Sequence, residues 1–196
     1  MIRTIYKFIR TVFASFLVLG LLAAPCFAEV YVNEEYGVHF TIPDGCPWST
    51  DEQKTTGPDG GVTTLLGFCR IELPPTSEAE AVNAFILLAV YDYPEGGPQE
   101  GLDLEGYVKA SLTPAQKLVS DLEAVSVGGF EGIQYVLEET DPARYGTAKS
   151  LITLIRTDKR RIIEFTASTN PAKYFDAELD NFKMAFYGLQ VKKKGK

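Results

Sequence analysis

Few side chains in this chain are equipped for chemistry: a single histidine, His39, and three cysteines, Cys26, Cys46 and Cys69. A serine or cysteine nucleophile with a histidine base would have to use His39. Val38, Phe40 and Ile42 alternate on one face of a short run, which leaves His39 and Thr41 on the other. His39 therefore reads as an exposed or partly covered strand residue. No Gly-x-Ser-x-Gly elbow and no phosphate-binding glycine loop is present. Gly60-Gly61, Gly96-Gly97 and Gly128-Gly129 read as turns, and none opens a helix as a phosphate cradle must.

Metals are served little better. One histidine and the two cysteines left after loss of the first 28 residues, themselves candidates for pairing, cannot supply the usual zinc ligands. Calcium takes oxygen ligands, so Glu138, Glu139 and Asp141, together with Asp92 and Glu95, are the carboxylates that could converge from neighbouring strand ends. No Asp-x-Asp-x-Asp-Gly loop accompanies them, and solvated acidic loops are the plainer reading. A carboxylate pair working on a glycoside needs no histidine, but spacing alone does not identify one. No catalytic residue is assigned, and the chain is expected not to be an enzyme. Trp48, the only tryptophan, either plugs the end of the core or offers an aromatic surface. It joins His39 as the candidate binding surface.

What the cysteines can do depends on compartment, and the first 28 residues speak to that. Arg3, Lys7 and Arg10 precede an apolar run over residues 11–24, and Cys26-Phe27-Ala28 has the small-x-small pattern of a cleavage site. This is the plan of a secretory signal peptide, with a core short for a membrane span. The expectation is an extracytoplasmic protein, periplasmic or secreted, cleaved after Ala28. Two alternatives are an uncleaved anchor and a lipid on Cys26, the latter poorly matched by Pro25. Cleavage would leave Cys46 and Cys69, which form a structural disulfide in an oxidising compartment or stay as free thiols. Without a Cys-x-x-Cys pattern, redox chemistry is the least favoured role.

The first 28 residues hold three of the 19 basic residues and none of the 26 acidic ones, so the remainder carries −10. Four lysines, Lys192, Lys193, Lys194 and Lys196, crowd the end, and residues 29–191 carry −14. Such a body repels phosphate backbones and anionic lipid, which argues against nucleic acid or a membrane surface as main partner. The lysine tail, residues 191–196, reads as a frayed terminus. What lies between, residues 29–190, has the size of one domain, with no repeat and no linker.

The elements that must position these side chains follow from periodicity. Residues 30–32 and 38–42 form two short strands, and residues 49–61 a polar loop ending in Gly57-Pro58-Asp59-Gly60-Gly61. Residues 62–73 read as a strand, and the apolar run 84–93 as a central strand covered on both faces, with a helix over 79–90 the competing reading that its branched residues disfavour. Leu104, Tyr107, Val108 and Leu112 have helical spacing behind a capping Asp103. Residues 116–121 fit an edge strand or a helical turn. Strands follow at 123–127 and 130–139, then a hairpin of 147–156 and 161–168. Last comes a helix, with Asn170 as cap, Pro171 at its first position, and a stripe of Phe175, Leu179, Phe182, Phe186 and Leu189.

The opening pattern Tyr31-x-Asn33-x-x-Tyr36-Gly37-Val38-x-Phe40-x-Ile42-Pro43-x-Gly45, followed by Trp48, resembles the start of PsbP-like domains. The turn Val127-Gly128-Gly129-Phe130-x-Gly132 continues the resemblance, which in outline runs over most of residues 30–190. That superfamily takes its name from an extrinsic photosystem II subunit and includes a Ran-binding transport protein and periplasmic proteins of the DcrB type. Cys46-Pro47 stands here between the glycine and the tryptophan, where the family has them adjacent. The resemblance implies an α+β fold, an antiparallel β-sheet flanked by helices in an α/β/α sandwich. It implies an accessory or binding role and carries no catalytic site. The expected function is thus a non-enzymatic binding protein meeting another protein of the cell envelope. The alternative is a small-ligand or calcium-binding protein.

Overall fold

A computed structural model describes residues 29–73, 82–97, 100–141 and 146–193. The signal-like segment, Pro74-Pro75 and the last lysines lie outside them. Eleven strands form two antiparallel sheets among these residues, with two helices. The fold is α+β.

The smaller sheet is built from the two ends of the described chain. β1 (Val30–Asn33) and β2 (Val38–Thr41) form a hairpin, and β11 (Leu189–Val191) pairs with the far side of β2. Val38 and Phe40 are fully buried while His39 and Thr41 are half-buried, the alternation expected of a strand with one face on the core.

The larger sheet has eight strands: β3 (Gln53–Thr56), β4 (Val62–Leu73), β5 (Val82–Asp92), β6 (Gln116–Leu118), β7 (Glu123–Val127), β8 (Phe130–Asp141), β9 (Gly146–Asp158) and β10 (Arg161–Asn170). Their spatial order is β3-β4-β5-β10-β9-β8-β6, with β7 also on β8. α1 (Leu104–Ser111) starts at Asp103, whose Oδ1 accepts a hydrogen bond from the Gly106 amide at 2.6 Å. α2 (Phe175–Tyr187) follows a single 3₁₀ turn at Ala172–Tyr174.

Both faces of the large sheet are covered. On one, α2 and the small sheet pack Val38, Phe40, Phe175, Phe182 and Phe186 against Leu66, Ile86, Ile163 and Phe165. On the other, Leu104 and Val108 of α1 lie on Ile133, Tyr135, Ile152, Leu154 and Ile162. This is why neighbours such as Ile162 and Ile163 in β10 are both buried. A side chain such as Phe165, with no exposed surface, contributes roughly 1.5–3 kcal/mol by burial.

The structure departs from the sequence reading at element ends. Asn170 does not cap the last helix: it is the final residue of β10, paired with Asn83, and Pro171 leads into the 3₁₀ turn. The helix begins only at Phe175. Leu189 leaves the helical stripe as well, since Gly188 ends α2 and Leu189 faces Phe40 from β11. β11 runs to Val191, and the Lys192 amide still donates to Gly37 O at 2.8 Å, so the ordered domain passes the expected boundary at residue 190 and takes in the start of the tail. Within the expected polar loop, β3 pairs with β4 along Gln53–Thr56. Residues 116–118 resolve as the edge strand β6.

Candidate functional site

Cys46 and Cys69 are joined in a disulfide, with their Cα atoms 5.7 Å apart. The bond is one of three ties between the segment after β2 and strand β4. Ser49 and Phe68 exchange backbone hydrogen bonds of 2.8 and 3.1 Å, and the Trp48 indole lies against Gly67. A β-bulge makes room for this: the register with β5 shifts between Leu65 and Gly67, sending Leu66 into the core. Trp48 contacts the Phe40 ring at 5.0 Å and Tyr31 at 5.8 Å between centroids, so it packs on the core rather than standing out from it. Its Nε1 is buried and has no hydrogen-bond partner among the described residues.

His39 points away from that core. Its Nδ1 is 3.5 Å from Lys192 Nζ and its Nε2 is 4.0 Å from Glu34 Oε1. The structure therefore separates His39 and Trp48, placing them on opposite faces of the small sheet.

The acidic candidates do not converge. Glu138 and Glu139 are neighbours in β8, so their side chains leave opposite faces of the sheet. Glu138 stands between Lys117 and Lys149 in the ladder, and Glu139 accepts a hydrogen bond from Gln116 at 2.8 Å. The Asp141 backbone pairs with Gly146, and its side chain is outside the described set. Asp92 holds Arg161 in a two-bond fork of 2.6 and 3.0 Å, and Glu95 meets Arg160 at 3.5 Å. Among the described residues no group of three or more His, Cys, Asp or Glu side chains is placed to hold a metal ion.

A cluster the sequence reading passed over lies beneath α1. Glu164 of β10 accepts a hydrogen bond from Thr166 Oγ1 at 2.7 Å and is bonded by Tyr91. Burial pushes its carboxyl above the ordinary carboxylate range, against those two hydrogen bonds. Tyr93, Tyr107 and Tyr135 stand near it, and burial raises all four tyrosines, so they remain protonated donors. Tyr93 donates to the Tyr107 hydroxyl across the sheet–helix contact. The available signal was Glu164 itself, a carboxylate set within the apolar stretch Ile162, Ile163 and Phe165.

Two grooves open on the α2 side. One, of about 610 Å³, has a floor of Ile42, Ile71, Ala84, Ile86, Phe182 and Ala185 between α2, β2 and the ends of β4 and β5. Asp44, Glu178 and Asn181 stand at its polar margin, beside the exposed Met184. The other, of about 960 Å³, lies between β7 and β11.

No family model matches the chain, and no curated protein does. Solved structures similar to it include a Pseudomonas aeruginosa protein of unknown function (16% identical, 85% of this chain and 98% of that one, TM-score 0.46). LpqN of Mycobacterium tuberculosis, described as involved in cell envelope biogenesis, is 12% identical over 84% of this chain and 90% of its own, with TM-score 0.44. The cyanobacterial PsbP of Synechocystis sp. PCC 6803 is 13% identical over 86% and 95%, also with TM-score 0.44.

Proposed function

We propose that this chain is an exported, non-catalytic binding protein that engages another protein of the cell envelope through the groove between α2 and strands β2, β4 and β5. The groove carries the reading: an apolar floor with a carboxylate margin suits an apolar side chain of a partner flanked by polar or basic groups. The disulfide supports the compartment, since such bonds persist where thiols are not kept reduced. Both remaining cysteines are spent in that bond, and His39 stands between Lys192 and Glu34, away from the groove. The basic and apolar opening residues supply the export signal.

The test is crosslinking in intact cells of the native host with a tagged chain, followed by identification of what co-purifies. Met184→Glu, at an exposed position on the groove margin, places a charge at the mouth without touching the core. One dominant envelope protein, recovered with the wild type and lost with Met184→Glu, is the expected result. Recovery unchanged by the substitution removes the groove from the reading. Turnover of a substrate by the purified protein removes the non-catalytic assignment.

A further inference from the structure

Three edge strands of the large sheet differ in how they resist pairing with another chain. β3 is polar, fully exposed and carries Lys54; β6 is three residues long and carries Lys117. β7, Glu123-Ala124-Val125-Ser126-Val127, has no lysine, no proline and no bulge. Edges usually carry one of those defences.

The register fixes which backbone groups of β7 are free. β7 and β8 join through Gly128-Gly129, at φ of 60° and 79°, so Val127 and Phe130 form the hydrogen-bonded pair next to the turn. Ala124 and Ser126 then turn N–H and C=O away from β8, where no backbone partner meets them among the described residues. Across the groove, Gly188 O accepts from Thr41 of β2 and the Lys192 amide donates to Gly37 just before it, so Leu189 and Val191 present their backbone groups toward β7. The two strands touch at Gly128, where a Cβ would fall 1.7 Å from Val191 O. From that contact the groove opens, with Val125, Val127, Phe186 and Leu189 in its lining and Lys192 and Lys193 along it. Among the described residues no carboxylate lines it, in a chain of net charge −7; Glu123, at the end of β7 away from Gly128, shares the face of Val125 and Val127. Glu131, opposite Ser126 in the ladder, belongs to the other face of the sheet from Val125 and Val127.

We propose that this groove receives an extended acidic segment of a partner protein, which adds to β7 as a further strand. The backbone of that segment pairs with Ala124 and Ser126, its apolar side chains cover Phe186 and Leu189, and carboxylates at its end beside Gly128 meet Lys192 and Lys193, the latter lying over the Phe130 ring. The site is separate from the groove beside Met184, and either can fail alone.

The experiment measures binding of fluorescent twelve-residue peptides to the full chain by anisotropy. One is a run of valine and threonine flanked at each end by glutamates, a second replaces glutamate by lysine, and a third is the glutamate peptide with alternate amides N-methylated. The glutamate peptide is expected to bind, more weakly as salt rises. N-methylation and Ser126→Pro are each expected to weaken it by about tenfold or more, through loss of backbone pairing. Lys192→Glu combined with Lys193→Glu weakens it too, while Met184→Glu leaves it unchanged. Slower amide exchange at Ser126 in the wild type on peptide addition is the readout that does not rely on a variant folding. Equal binding of the lysine peptide, insensitivity to N-methylation, or no binding at millimolar peptide overturns the proposal. So does a concentration-dependent dimer abolished by Ser126→Pro, which would make a second copy the occupant.

Discussion

Gly67 lies against the indole of Trp48: a Cβ at position 67 would fall 2.6 Å from both Cε2 and Cζ2 of that ring. The obstacle is a rigid bicyclic ring wedged between Phe40 and Tyr31, so it has little freedom to yield. Gly67→Ala is expected to destabilise the fold by about 1–3 kcal/mol, seen as a lower urea midpoint with unchanged slope. Gly67→Ala combined with Trp48→Leu should recover part of the loss. A Gly67→Ala protein as stable as the wild type would mean that the ring moves freely.

The disulfide closes a loop with a sequence separation of 23 residues. Replacing both cysteines by alanine is expected to cost about 3 kcal/mol, read by chemical unfolding. Excess reductant should lower the wild type toward the double variant and leave the variant unmoved. Coincident curves for the two proteins would show that the Ser49–Phe68 pairing and Trp48 hold the segment alone.

Glu164 gives a pH dependence of definite sign. Its folded carboxyl titrates above the ordinary value of 4.5, so the folded state binds more protons than the unfolded between those two values. Stability from this group is fully present below pH 4.5 and is lost as pH rises through the folded value. Glu164→Gln keeps an acceptor for Thr166 and Tyr91 without the charge. Melting temperatures measured across pH should coincide for variant and wild type in acid and favour the variant increasingly toward neutrality. A constant offset at every pH would contradict the assignment.

Gly128 combines a φ of 60° with the close approach to Val191 O. Gly128→Ala is strained by both, and β11 is the piece held only by its neighbours. Amide exchange at Leu189 and Val191 is expected to speed by about tenfold or more, ahead of any change in β9 and β10. Uniform acceleration through the whole sheet would instead make β11 part of the global unfolding unit.

β2 and the later part of β10 were legible because their burial alternates as their sequence does: Val38 and Phe40 against His39, Phe165 and Ala167 against Thr166. β3 was hidden for the opposite reason, since Gln53–Thr56 is exposed on both faces and no hydrophobic pattern marks an edge held only by backbone pairing to β4. Leu189 misled because a strand residue facing Phe40 happens to continue the helical spacing of α2. The disulfide could be named because only one pairing was open once Cys26 was set aside. The two grooves were not legible at all. Each is lined by segments distant in sequence, Ile42 with Phe182 or Val125 with Leu189, whose meeting depends on topology. The tyrosines around Glu164 are scattered over β5, α1 and β8 in the same way.

β2 takes its two partners from opposite ends of the described chain: β1 directly before it and β11 at residues 189–191. A polypeptide growing from its N-terminus can close the β1–β2 hairpin early, but the far side of β2 must wait until the large sheet and α2 have been made. Until then Val38 and Phe40 have no Leu189 or Val191 beside them, and that flank is an open strand. The small sheet thus acts as a completeness check, since a product cut short before Leu189 leaves the flank of β2 bare where the longer one has it paired with β11.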